Sequence, residues 1–141
     1  MARYVARVKV RFAEIDRAGI VYYPRFFHYA HVAFEEFFED RVGVPYHVVI
    51  DEGRVGFPTV RAECDYLSPL AFGDRIDVAV SILRIGRSSA TFRFRLRNRT
   101  KRRAAADARI TVVCVDMDTF RPKRIPPRFR RVFERHLEPA K

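Results

Sequence analysis

Cysteine is scarce in this chain: Cys64 and Cys114 are the only two. Two cysteines are too few for a disulfide framework, and their spacing is not that of a zinc finger. A reducing, cytoplasmic setting is the expectation that follows. Long apolar runs are missing as well. None approaches the ~20 residues that a membrane span needs, so no membrane partner is expected. The first residues, MARYVARVKVRF, alternate apolar and basic side chains. They lack the continuous apolar core of a signal peptide, and export is not expected. No G-x-S-x-G, Walker loop, H-E-x-x-H or G-x-G-x-x-G occurs, which removes the common signatures of serine hydrolases, P-loop proteins, zincins and dinucleotide binders. Internal repeats and low-complexity segments are also lacking.

What is present suits one globular domain. Hydrophobic residues make up 48% of 141 residues, which excludes a disordered chain. The length suits a single domain over residues 1–141 with one core. The net charge is +11, and it is unevenly placed. Residues 1–83 carry 10 basic and 12 acidic side chains, whereas residues 84–141 carry 18 basic and 5 acidic ones. Such asymmetry suggests a surface that meets an anion: nucleic acid, a phosphorylated small molecule or acidic lipid. An arginine-rich or thermophilic proteome would produce the same excess.

Tyr4 to Phe12 alternates, with Arg7, Lys9 and Arg11 on one parity and Tyr4, Ala6, Val8 and Val10 on the other; this predicts a strand with one apolar face. Ala13 to Val21 reads as a loop. Pro24 sits where a first helical turn accepts proline. From Phe26 to Val42, Phe26, Phe27, Ala30, Ala33, Phe34, Phe37 and Phe38 follow helical spacing, opposite Glu35, Glu36, Glu39 and Asp40. A stripe that broad predicts a mostly buried helix, stopped by Gly43 and Pro45. Residues 44–58 read as irregular. Four strands are expected next: Thr59–Leu67, Asp74–Ile85, Ser88–Arg99 and Ala105–Met117. Both parities of the last are largely apolar, which suggests an interior strand. Pro126 and Pro127 open a short basic helix, about 127–137.

Helix and strands are segregated along the chain, so the class is α+β. A curved antiparallel sheet of about five strands wrapped around the long helix would cover its apolar stripe. An open sheet has edges, and an exposed edge invites a second copy.

Candidate chemistry concentrates before the long helix. Asp16 lies in a loop containing Gly19, just ahead of the helix N-terminus at Tyr23 and Pro24. Free backbone N–H groups and the positive end of the helix dipole are found there. Such donors polarise a carbonyl and hold an oxyanion, while a neighbouring carboxylate attacks it or activates water. On spacing alone, capping of a turn is the commoner use of an Asp before a helix. His28 and His31, at i and i+3, could share a metal, but no Cys or carboxylate at ligand spacing completes a site; no metal is expected. Cys64 and Cys114 fall in strands, where packing is the commoner role.

The segment Asp16-Arg17-Ala18-Gly19-Ile20-Val21-Tyr22-Tyr23-Pro24 resembles the signature of hotdog-fold acyl-CoA thioesterases, in particular the 4-hydroxybenzoyl-CoA thioesterase family. Gly43-Val44-Pro45, Val55 to Val60 and Arg84 to Ser89 extend the likeness over residues 5–120. The resemblance implies a curved sheet around one helix and hydrolysis of an acyl-CoA to acid and free CoA. It implies Asp16 as the catalytic carboxylate, nucleophile or general base. Tyr23 is then the residue whose backbone N–H polarises the thioester carbonyl, and Gly19 keeps the loop close to the substrate. No cofactor is implied. A homodimer or homotetramer is, joined by sheet edges, with the acyl pocket at the interface. Arg84 and Arg87 become candidates for the CoA phosphates, since a guanidinium fork binds two oxygens. His31 and Thr59 become candidates for the substrate pocket. His31 stands where the hydroxybenzoyl branch carries an Asp near the phenolic end, so the sequence fits the chemistry better than any one acyl group.

Two other readings remain. A basic nucleic-acid-binding module draws on Arg93, Arg95, Arg97 and Arg99. Alternation puts Phe92 and Phe94 on the opposite face, so they offer no stacking surface beside those arginines, and nucleic acid ranks well below acyl-CoA. A hotdog-fold dehydratase keeps the fold and changes the reaction.

Overall fold

The structure, a computed structural model, describes residues 1–140. The chain begins with β1 (Tyr4–Lys9), a 3-10 turn at Phe12–Glu14 and α1 (Arg25–Phe37), which finishes as a π-helical turn over Phe38–Val42. Then follow α2 (Tyr46–Asp51), β2 (Val55–Gly56), β3 (Thr59–Tyr66), β4 (Arg75–Ile85), β5 (Ser89–Asn98), β6 (Arg103–Val113), β7 (Val115–Asp116) and α3 (Pro127–Arg135). The five long strands form one antiparallel sheet in the order β1-β4-β5-β6-β3, and β2 pairs with β7 in a separate ribbon. The class is α+β, as expected.

Periodicity decides what faces the core. In β4 the buried Ile76, Val78, Val80 and Ile82 alternate with partly exposed residues, and in β5 Phe92, Phe94 and Leu96 do the same. α1 lies across this face and touches β1, β4 and β6. Its buried residues Phe26, Tyr29, Ala30, Ala33, Phe34 and Phe37 recur at three- and four-residue steps, the spacing of one helical stripe. α3 closes the end of the core, with Phe133 edge-on to Phe92 at 5.2 Å.

Beyond the N-terminal start of β1, the C-terminal segment takes over its lane beside β4. The Ile82 N–H donates to the His136 carbonyl at 2.9 Å, and the Glu138 N–H donates to the Ile82 carbonyl at 2.7 Å. The Glu138 carboxylate then accepts from Ser81 and from Arg93 and Arg95.

Three sequence expectations need correction. The long helix is α-helical only to Phe37; its last turn closes with the Gly43 N–H on the Phe38 carbonyl, 2.8 Å. Residues 44–58 are not wholly irregular, since α2 and β2 lie there. The expected Ala105–Met117 strand is interrupted at Cys114, between β6 and β7, although the Cys114 N–H still meets the Ser88 carbonyl in the register of β5 and β6. β6 lies inside the sheet, between β5 and β3, as its apolar parities imply. No helix among the described residues is long and apolar enough to cross a membrane.

Candidate active site

The loop from Asp16 to Tyr23 is tied down group by group. Ile15 and Val21 bridge antiparallel, with the Asp16 N–H on the Ile20 carbonyl and the Tyr22 N–H on the Glu14 carbonyl. Asp16 closes the turn between them: its Oδ1 accepts the Ala18 N–H at 2.8 Å, and its carbonyl accepts the Gly19 N–H at 3.0 Å. The other carboxylate oxygen, Oδ2, has no protein donor among the described residues. Asp16 is therefore a turn-capping residue with one oxygen to spare, and its side chain is half-buried. Gly19 sits at φ +84° with open space where a Cβ would be. What the fold demands of it is the left-handed backbone, which glycine adopts at no steric cost.

The approach to α1 leaves one donor over. Val21 donates to the Leu70 carbonyl, and Arg25 and Phe26 donate to the Tyr22 and Tyr23 carbonyls. The Tyr23 N–H has no protein acceptor among the described residues. Tyr66, at the end of β3, donates its hydroxyl to the Tyr23 carbonyl at 3.0 Å, and its ring packs edge-on against Tyr23 and Phe26. This clamp between the edge strand and the helix start was not among the residues singled out by sequence. A lone Tyr at a strand end carries no local signal of it.

An apolar cavity of about 150 Å³ opens between α1 and the sheet. Phe27, Phe34, Phe57, Phe92 and Phe94 form much of its wall. His31 and Thr59 both line it, so the structure brings these two together. The His31 ring stacks on Phe34 (5.9 Å, 18°), and its Nε2 meets Glu35 at 3.0 Å. Asp16, Gly19 and Tyr23 are not part of this wall. His28 lines a different cavity from His31, and no three His, Cys, Asp or Glu side chains converge as metal ligands among the described residues.

A second cavity, about 520 Å³ and basic, lies at the far end of β4. Arg87, Arg124 and Arg130 line it, together with Ile85 and Gly86. Arg130 also donates to the Gly86 carbonyl at 2.9 Å. Gly86 is a close approach, since a Cβ there would stand 2.7 Å from the Ser89 hydroxyl. Arg84 is exposed and outside this lining. A bulge after Ile82 puts it opposite Thr91, on the outer face of the sheet. Two arginines of the β5 row are already engaged: Arg93 meets Asp107 at 2.7 Å and Glu138 at 3.2 Å, and Arg95 meets Glu138 at 3.1 Å. Phe92 and Phe94 are fully buried behind that row.

Residues 10–133 match the family model of the thioesterase-like superfamily. The chain belongs to that superfamily. It is 28% identical over 131 residues to a 1,4-dihydroxy-2-naphthoyl-CoA hydrolase of Synechococcus elongatus, covering 92% of this chain and 94% of that relative. A gentisyl-coenzyme A thioesterase structure superposes with a TM-score of 0.82 at 28% identity, over 90% of this chain and 99% of the other. A thioesterase superfamily protein from Jannaschia sp. reaches a TM-score of 0.90 at 24% identity, over 99% and 95% of the two chains. The sheet wrapped on one long helix is the hotdog fold. The comparisons support the superfamily, and they do not single out its hydroxybenzoyl branch.

Proposed function

We propose that this thioesterase-like protein hydrolyses an aromatic acyl-CoA, with water, to the carboxylic acid and free CoA. The observation that carries the reading is the loop before α1, where a carboxylate oxygen of Asp16 and the Tyr23 N–H are both left uncommitted. Tyr23 would polarise the thioester carbonyl and hold the charge that develops on its oxygen. Asp16 would attack that carbonyl or take a proton from the attacking water. Gly19 holds the turn that presents them.

The acyl group belongs in the phenylalanine-walled cavity. At about 150 Å³ it falls below the roughly 300–1,000 Å³ of whole-ligand sites, so it takes a ring and leaves the CoA outside. His31, fixed by Glu35, and Thr59 supply polar groups to a hydroxylated ring. The named relatives act on a dihydroxynaphthoyl and a gentisyl thioester, and 4-hydroxybenzoyl-CoA is the smaller candidate of the same chemistry. The CoA phosphates would lie on Arg87, Arg124 and Arg130, with Arg84 flanking them from β4. The β3 edge would pair with a second copy, in a dimer or tetramer. Because Asp16 and Tyr23 lie outside the wall of the apolar cavity, the pairing would bring the loop of one copy toward the cavity of the other.

A thiol-release screen over aromatic and aliphatic acyl-CoAs tests this reading. Hydroxylated aromatic thioesters should turn over fastest. Loss of thioester without free thiol would indicate a different reaction, and salt-sensitive binding indifferent to CoA would favour a nucleic-acid module.

A further inference from the structure

We infer that the groove at the start of β4 is a second anion site, built for a short chain of phosphates such as a nucleoside di- or triphosphate carries. The observation is a row of like charges across three strands. Lys9 of β1 pairs directly with Arg75 of β4, and Arg99, just past β5, donates its N–H to the Arg75 carbonyl at 2.7 Å. Like charges directly opposite on a sheet are destabilising, so a folded chain that keeps three in a row has not arranged them for its own stability.

The contrast within the sheet is informative. Arg93 and Arg109 are also cross-strand neighbours, but Asp107 and Asp65 stand against them at 2.7–3.6 Å. At the other end, the side chains of Lys9, Arg11 and Arg75 form no ion pair within 4.0 Å among the described residues, the Glu14 carboxylate meeting only the Arg11 backbone N–H at 2.8 Å, and Arg99 reaches only Asp77 at 3.9 Å. All four are exposed and line one cavity of about 530 Å³. That volume is in the range of small-molecule clefts. Two strand spacings separate Lys9 from Arg99, about 10 Å, which matches a short oligophosphate.

The flank of the groove selects against longer polyanions. Glu14 and Glu36 face the same cavity, and Glu39 and Asp40 continue the acidic run beyond α1. A nucleic-acid backbone following the groove would meet these carboxylates. A nucleotide would set its phosphates on the cations and its uncharged part toward Val32 and His28. The site is separate from Arg87, Arg124 and Arg130: Arg75 opens β4 and Ile85 ends it, about 30 Å apart along the strand.

Calorimetric titration of the full chain at low ionic strength reads this directly. ATP and inorganic tripolyphosphate should each bind the groove once per chain, and adenosine should not bind it. The K9S/R75S double variant should weaken both at least tenfold without a lower Tm, whereas Arg124→Ala should leave them unchanged. Arg11→Gln lies outside the strands and should weaken them at least threefold, which keeps the test alive if the double variant does not fold. Unchanged binding in these variants would overturn the inference. So would competition by sulfate no different from that of chloride at equal ionic strength, or tighter binding of duplex DNA or of phosphatidylglycerol vesicles. If CoA itself lost affinity in K9S/R75S but not in Arg124→Ala, the groove would be the seat of CoA and not a second site.

Discussion

Asp16 commits one carboxylate oxygen to its turn and leaves the other for the proposed chemistry, and a single isosteric change separates the two. Asn at this position keeps an oxygen for the Ala18 N–H, so the turn and the unfolding midpoint should be preserved. It loses basicity and nucleophilicity, and thiol release should fall by about 10² to 10⁴. Turnover near the wild-type rate would remove Asp16 from the chemistry, and an unfolded variant would make it structural. Arg87 offers a different kind of test. Its contacts to phosphate would be the same in ground and transition states, so Arg87→Ala should raise KM roughly tenfold and leave kcat unchanged. Arg84, outside the basic cavity, should show the smaller change of the two. Both effects should shrink in high salt. The proposed trio Asp16, Gly19 and Tyr23 stands out in the sequence because one short segment carries all three. The apolar wall was not, since Phe27, Thr59, Phe92 and Val112 come from four separate segments that only the fold brings together. Arg124 and Arg130 lie beyond residue 120, where the motifs recognisable in the sequence end, so nothing marked them.

Among the elements, α1 was the plainest to read, because burial at Phe26, Ala30, Ala33, Phe34 and Phe37 needs only helical spacing. The final π turn leaves no such trace: apolar periodicity looks alike whether the last turn closes on the fourth or the fifth residue. Gly43 does mark the end, with φ +84° and open space around its missing Cβ. Gly43→Ala should therefore cost about 1 kcal/mol, a purely conformational penalty, measurable as a lower urea midpoint with the same m-value. α2 was illegible for the opposite reason. Val48, Val49 and Ile50 are β-branched, and this short helix is held by tertiary contacts, among them the Phe57 N–H donating to the Tyr46 hydroxyl at 3.0 Å. The break at Cys114 was hidden because both faces of that stretch are apolar.

At the scale of the whole molecule, β3 is an eight-residue edge whose residues are mostly exposed, with Val60 at 63% and the adjoining Leu67 at 58%. Such an edge suits a self-complementary contact. Light scattering at micromolar concentration should give at least a dimer, and a monomer would remove the shared site. Acid should loosen the fold through His136. Burial holds its pKa below the ordinary value, with Arg41 and Arg135 adding to it, and its Nε2 has no partner. The unfolded chain takes up that proton near pH 6.5 and the folded chain resists it. Stability should thus be greatest above about pH 6.5 and fall as pH drops through the lower folded value. His136→Gln should flatten the urea midpoint across that window; an unchanged slope would assign it elsewhere. The strand order also sets a timetable. β4, β5 and β6 are joined by short turns and can zip locally, whereas β1 must wait for residues 75–80 and β3 for residues 106–112. Contacts that distant in sequence slow folding. During synthesis the phenylalanine-rich α1 emerges before any strand that can cover it fully, so the nascent chain, more than the finished protein, is where this fold is exposed to aggregation and to chaperones.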